Sequence, residues 1–170
     1  MNNKKKILEI GPYPPPIGGV QMRMKALLER MLDMGYECEL LNIGESKRMK
    51  IHGCLDVHHS WDFAWKVSKY LLKGYVIHMH INGKSLKAIW MALYTQGMSN
   101  VFFRRAFLTF HAGSKQQYFP KNKNIFLTIG YYLIFAFSKK IICNAQSVKA
   151  KIMEYGINDE KIVPIQGFSM

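Results

Sequence analysis

Gly18 and Gly19 stand where phosphate chemistry is most easily done. They close a Pro- and Gly-rich stretch, Gly11–Gly19, that follows the apolar run Ile7–Ile10, and a segment with helical spacing begins at once behind them. Two glycines there let the backbone come close to a ligand, and the first turn of the helix offers unpaired N–H groups and a partial positive charge. A phosphate or diphosphate fits such a place. The spacing is not GxGxxG, so the ordinary dinucleotide fingerprint is absent. A glycine turn serving only to enter the helix is the plainer alternative.

The histidines come next. His78 and His80 lie two apart in a strand-like run and so point to the same face. His52, His58, His59 and His111 add ligands only by count, and no spacing matches a zinc pattern, so no metal site is expected. The pair reads as one histidine at a ligand cleft and one structural. His111 directly follows the run Ala106–Phe110, where a ring N–H is placed to donate to a ligand hydroxyl; a loop histidine without a role is the alternative. No GxSxG occurs and no pair of carboxylates stands out. Acidic residues are scarce in the candidate loops, so no catalytic residue is assigned.

Holding such groups takes a scaffold. Ile7–Ile10 reads as a buried strand bounded by Gly11-Pro12. Helical spacing runs from Val20 to Met34 through Met24, Leu27, Leu28, Met31 and Leu32, and Gly35 is a fitting stop. Cys38–Ile43 is a second strand. Gly44–Ser60 reads as a polar loop with room for one short strand, Trp61–Leu72 as a helix closed by Gly74, and Tyr75–Ile81 as a strand. After the Asn82-Gly83 turn, Ser85 caps a helix running to about Tyr94 or Met98. Ala106–Phe110 is another buried strand, His111–Asn124 a polar loop, and Ile125–Phe137 a helix apolar nearly all round, buried or interfacial. Lys140–Cys143 is a strand, Ser147–Tyr155 a helix and Lys161–Ile165 a last short strand. This alternation predicts an α/β fold, a Rossmann-like parallel sheet with helices on both faces. Ligands of such sheets bind beyond the carboxyl ends of the strands. The loops Gly11–Gly19, Asn82–Lys84, His111–Lys115 and Asn144–Ser147 are therefore the ones to watch.

The 170 residues suit a single domain, 1–170. Apolar residues at 49% and charged ones at 21% exclude wholesale disorder and a fibrous repeat. Lys and Arg number 24 against 11 Asp and Glu, a net charge of +13, which predicts an anionic partner. Basic clusters at Lys47–Lys50, Lys84–Lys87, Arg104-Arg105, Lys115–Lys123 and Lys139-Lys140 lie near Trp90, Tyr94, Phe102, Phe103, Tyr118, Phe119, Tyr131 and Tyr132. Basic residues beside aromatics suit a membrane interface carrying anionic lipid; solvated charge on helix faces is the alternative. No RNP, KH or helix-turn-helix signature appears, so nucleic acid is not expected. Cys38, Cys54 and Cys143 form no CxxC pair and read as reduced thiols. The N-terminus is not a signal peptide. The longest apolar run, Ile125–Phe137, falls short of the ~18–20 residues that cross a bilayer. The expected location is cytoplasmic, with peripheral contact on the inner face of the plasma membrane left open.

Several stretches together resemble the opening half of the retaining glycosyltransferases of GT-B fold, family 4. They are Lys6–Ile10, Pro14-Pro15-Pro16-Ile17-Gly18-Gly19-Val20, Leu27-Leu28 and Gly35–Leu40, where Tyr36 replaces the usual histidine. Val76–His80 is similar to the family's D-x-x-H-x-H strand, with Tyr75 in the place of the aspartate. Leu108–Ser114 is similar to its T-x-H-G strand end, with Ala112 in the place of the glycine. Lys140–Ser147 and Tyr155–Phe168 resemble V-I-x-x-S and G-I-x-x-x-K-I-x-V-I-P-N-G, with Gln166 where asparagine is usual.

The resemblance implies the acceptor-side domain of such an enzyme, with the C-terminal donor-binding domain and its E-x7-E motif outside this chain. It implies a nucleotide-sugar donor near Gly18, Gly19 and His111, and a glycan or lipid-linked acceptor near Gln21, His80, Asn82 and Ser114. No cofactor and no metal are expected. The implied activity is sugar transfer in polysaccharide biosynthesis, weak in the isolated 170 residues. Two other classes stay open: a non-catalytic, membrane-recruiting subunit of a split transferase, and a basic nucleic-acid-binding protein.

Overall fold

A computed structural model describes residues 5–112, 118–119 and 124–165. Seven strands form one parallel sheet: β1 (Lys6–Gly11), β2 (Glu37–Asn42), β3 (Cys54–Leu55), β4 (Val76–Ile81), β5 (Ala106–Phe110), β6 (Lys140–Cys143) and β7 (Ile162–Pro164). Their order is β3-β2-β1-β4-β5-β6-β7. The helices among the described residues are α1 (Gly19–Asp33), α2 (Ser60–Leu72), α3 (Leu86–Val101), α4 (Ile125–Phe137) and α5 (Gln146–Met153). β1 from Leu8 to Gly11 and β4 from Ile77 to Ile81 are buried at every position, on both faces of the pleat. Central strands hidden on both sides are the mark of a sheet flanked by helices. The architecture is the Rossmann-like α/β fold that the alternation predicts. By contact density the chain divides into two compact units, 1–79 and 80–170.

In the first unit β1 pairs with β2 on one side, Leu8 opposite Glu39, and with β4 on the other, Glu9 opposite His78. Met24 and Leu28 of α1 pack on Leu40 of β2, with Tyr13, Cys38 and Cys54 around them. Gly35 (φ 80°) and Gly74 (φ 86°) take the left-handed turn after α1 and α2 that an L side chain resists. Burial pushes the Cys38 thiol up to about 12, helped by the charges of Glu9 and Glu39, and the Cys54 thiol up to about 11. Both are therefore protonated at neutral pH. At about pH 7.5, iodoacetamide should label neither within minutes in the folded protein, and both once the chain is unfolded in urea; mass spectrometry of the two samples reads the result.

The start of α2 is fixed by charge. Lys66 Nζ donates to Asp56 Oδ1 (3.1 Å), Asp62 Oδ2 (3.0 Å) and the Asp56 carbonyl (2.7 Å). The His58 amide donates to Asp62 Oδ2, and the Asp62 amide to His59 Nδ1. The Lys66 hydrogen bond is the chief cause that lowers Asp56. Burial alone would raise Asp62, but the His58 amide and Lys66 outweigh it and hold it below the usual carboxylate range. A depressed carboxylate stabilises the fold above its ordinary pKa of ~3.9, and that stability is lost as pH falls through the folded value. Urea midpoints of the wild type should therefore fall steeply below about pH 4, and less steeply in Lys66→Met.

In the second unit α3 outruns its predicted end and continues through Gly97 to Val101. Thr95, Gln96 and Ser99 are buried, and the hydroxyls bond along the helix: Thr95 Oγ1 to the Met91 carbonyl and Ser99 Oγ to the Thr95 carbonyl. α4 has its predicted bounds. Asn124 Oδ1 accepts from the Phe126 and Leu127 amides at its start, and Lys161 Nζ donates to the Ala136 and Phe135 carbonyls at its end. β7 is shorter than predicted because Asp159–Lys161 forms a 3₁₀ turn under an Asn158 cap.

The aromatic residues divide differently from the membrane pattern expected of them. Phe119 (1% exposed) and Tyr131 (0%) are core. They close over Phe110 at the end of β5, with ring centroids 4.8 and 6.0 Å away, together with Phe135 and Tyr155. Rings of this size stabilise the interior more than the surface. Phe103 is the opposite case, 97% exposed and at φ 52°.

Candidate functional site

The first unit contains a change of direction at β1. The chain leaves β1 through α1 toward β2 and β3, then returns through α2 to β4 on the other side of β1. Ligands of open α/β sheets bind at such a point, beyond the carboxyl ends of the strands. Gly18 is the N-cap of α1, with extended backbone, and no side chain caps the helix. The first turn holds no acidic residue, so its positive pole is uncompensated by charge. A Cβ on Gly19 meets nothing within 4 Å. For one on Gly18 the nearest atoms are those of the Gln21 side-chain amide, with Oε1 at 2.6 Å, the mobile end of a side chain. Packing against the described residues therefore does not demand a glycine at either position, and Gln21 lies over the helix entrance.

The loop that carries the glycines is clamped by two residues the sequence reading misses. Asn42, buried at the end of β2, accepts through Oδ1 from the Tyr13 amide (3.2 Å) and the Gly44 amide (2.9 Å). Its Nδ2 donates to Ser46 Oγ (2.9 Å), and Ser46 Oγ donates to the Tyr13 carbonyl (2.9 Å). Gly44 fits here for space, since a Cβ would lie 3.1 Å from Pro12 Cα. The only local signal is a polar pair, Asn42 and Ser46, astride a glycine at the end of an apolar strand.

Glu9 and His78 face each other across β1 and β4, both buried, with His78 Nδ1 3.1 Å from Glu9 Oε1. His78 is thus a buried histidine with a partner in the neighbouring strand. Tyr75, which stands where the resembled family has an aspartate, is buried too. Its hydroxyl donates to Glu37 Oε1 (2.5 Å), and burial raises its pKa, with Glu37 adding to the rise.

In the second unit His80 and His111 meet. His80 Nδ1 lies 3.0 Å from His111 Nε2, and the rings stand 5.3 Å apart at 20°. One ring donates and the other accepts, so each fixes the other's tautomer and direction. The His111 amide donates to the Ile81 carbonyl (2.8 Å), which fastens the end of β5 to the end of β4. Asn82 Oδ1 accepts from the Lys84 amide (3.0 Å) and so shapes the turn. Ala112 is fully buried, which its methyl group allows where a polar side chain would be costly. Ser114 and Gln166 lie outside the described residues.

No family model matches the chain, and no curated protein matches it by sequence. Solved structures do match it. UDP-GlcNAc 2-epimerase from Methanocaldococcus jannaschii aligns at a TM-score of 0.62 and 12% identity, covering 94% of this chain and 45% of the epimerase. UDP-GlcNAc 2-epimerase from Neisseria meningitidis, solved bound to UDP-GlcNAc, aligns at 0.61 and 9%, covering 94% and 45%. Anabaena HepE, solved with UDP and glucose, aligns at 0.55 and 17%, covering 96% and 45%. The fold is Rossmann-like, of the GT-B type. The chain spans less than half the length of these GT-B-type structures. At such identities the likeness is one of fold. No described helix is long and apolar enough to cross a membrane.

Proposed function

We propose that this chain is the acceptor-side half of a retaining glycosyltransferase that moves a sugar from a nucleotide-sugar to a glycan or lipid-linked acceptor in polysaccharide biosynthesis. The observation that carries the reading is the α1 entrance: an uncapped, acid-free helix N-terminus with open space over Gly19, at the switch point of a GT-B-type sheet. Backbone N–H groups at Gly18 and Gly19 suit a donor diphosphate. His111, oriented by His80, suits a hydrogen bond to a hydroxyl of the donor sugar. Gln21, His80, Asn82 and Ser114 are the acceptor candidates. Their side chains offer both donors and acceptors for hydroxyl groups. The donor-binding half would supply the carboxylates that the loops of this chain lack.

The test is sugar transfer from radiolabelled UDP-sugars, with and without a donor-binding half supplied in the same chain or as a separate one. The 170 residues alone should turn over far more slowly than ~1 per second. With the second half present, His111→Ala should lower kcat/KM about hundredfold while the melting temperature stays put. Enzyme-like turnover by the isolated chain would overturn the half-enzyme reading. An unchanged kcat/KM in His111→Ala would remove that residue from the site.

A further inference from the structure

α2 turns two tryptophans to the solvent. Trp61 is 85% exposed and Trp65 69%. They stand four positions apart, one turn of the helix, on the side away from the buried Phe63, Val67, Tyr70 and Leu71. An indole contributes most when its faces are covered, so two of them in water on one helix mark a contact surface.

Fixed polar groups stand at the head of this surface. His58 Nε2 lies 2.7 Å from Asp56 Oδ2, and Lys66 holds both Asp56 and Asp62. An ionised carboxylate only accepts, so His58 donates to it through Nε2, and Nδ1 of the neutral ring is an acceptor. The His58 amide donates to Asp62 Oδ2, which ties the segment to the first turn of α2. The arrangement is therefore set before any ligand arrives. Its place in the first unit is also fixed. Leu55 of β3 lies opposite Leu41 of β2, so Asp56 stands level with Asn42, which holds the glycine loop. β3 is two strands from β1, about 10 Å at ~4.8 Å per strand. The three strands are parallel, so the start of α2 shares their carboxyl side with the α1 entrance.

We infer that Trp61 and Trp65, with His58 and Asp56 at their head, form a platform that holds the uncharged sugars of a glycan. A pyranose ring presents polarised C–H bonds on its face and hydroxyls on its edge. The negative faces of the indoles suit the first, and the imidazole and carboxylate suit the second. Charge narrows the occupant. The chain carries +13 overall, yet here two carboxylates meet one lysine. An anionic partner would find repulsion at this head, whereas a neutral saccharide would not. A protein partner would need roughly 20–30 residues a side, and the next exposed position along the same line is the charged Lys69. The inference rests on the glycan arm of the proposed function and extends it: an acceptor of several sugars could react near the α1 entrance while its far residues lie on the tryptophans.

Saturation-transfer NMR of the 170-residue chain with maltohexaose and with chitohexaose, no donor present, tests it. Saturation should pass from the protein to the sugar C–H protons of at least one of the two. Trp61→Ala with Trp65→Ala should weaken binding about tenfold or more at unchanged circular dichroism, and Trp61→Phe with Trp65→Phe should keep most of it. Gly19→Val should bind the saccharide like the wild type, so failure of the donor site and failure of the platform are read separately. No transfer to either saccharide, or equal affinity in the alanine pair, overturns the inference. So does a dimer in light scattering, or binding to phosphatidylglycerol vesicles, that the alanine pair abolishes while saccharide binding is unchanged.

Discussion

Gly19→Val should abolish most donor binding and leave the fold intact. Among the described residues a Cβ at this position meets nothing within 4 Å beyond its own helix and chain neighbours, and the residue opens a helix, where glycine itself is mildly unfavourable. Contact with the described residues therefore does not require Gly19 to lack a side chain. If a diphosphate rests on the amides of Gly18 and Gly19, a valine holds it away and forfeits hydrogen bonds to a charged ligand, each worth ~1.5–3 kcal/mol. The expected loss is about hundredfold in affinity for the nucleotide-sugar, ~2.7 kcal/mol, with a melting temperature within ~2 °C of wild type. Calorimetric titration of the two-half enzyme with UDP-sugars, beside a thermal melt, reads both quantities. Unchanged affinity would place the diphosphate elsewhere.

Asn42→Ala should do the reverse and strike the fold first. The side chain is buried and makes three hydrogen bonds, two accepted and one donated. Alanine leaves the Tyr13 and Gly44 amides without their acceptor and deprives Ser46 Oγ of its donor. At ~1–3 kcal/mol for each buried group left unsatisfied, a loss of ~3 kcal/mol is expected. In a protein of this size that lowers the melting temperature by roughly 10 °C. Asn42→Asp keeps the acceptor oxygen and should recover a good part of the loss. Since the same side chain holds the loop leading to Gly18, donor binding should weaken in the alanine variant even well below its melting point. A melt like that of the wild type would show that the clamp contributes nothing.

These two residues also mark what the sequence discloses and what it does not. The place of Gly18 and Gly19 at the entrance of α1 is legible because a glycine pair between a strand and a helix is a local pattern. The bounds of α4 are legible for the same reason: Asn124 and Ser138 bracket an unbroken apolar run. Asn42 and Ser46 read as the edge of a loop, since their meaning is a contact with Tyr13, some thirty positions away, that no spacing encodes. The partner of Glu9 lies farther still, at His78. The aromatic residues fail differently. Tyr131 and Tyr132 are neighbours of one type, and only the side of α4 that meets β5 decides that one is core and the other is not. Periodicity gives a helix its stripe, but an all-apolar helix has no stripe to read.

The Glu9–His78 pair carries a consequence for how the sheet finds its alignment. Parallel neighbours in a buried sheet are mostly interchangeable aliphatic side chains, so β1 could pair with β4 one position out of step at little cost to apolar contact. With Glu9 opposite His78 the correct step is the only one that gives the buried carboxylate its imidazole. A slip by one residue would set Glu9 beside Ile77 or Met79 and cost it the hydrogen bond to His78. The pair thus favours the observed register of β1 on β4.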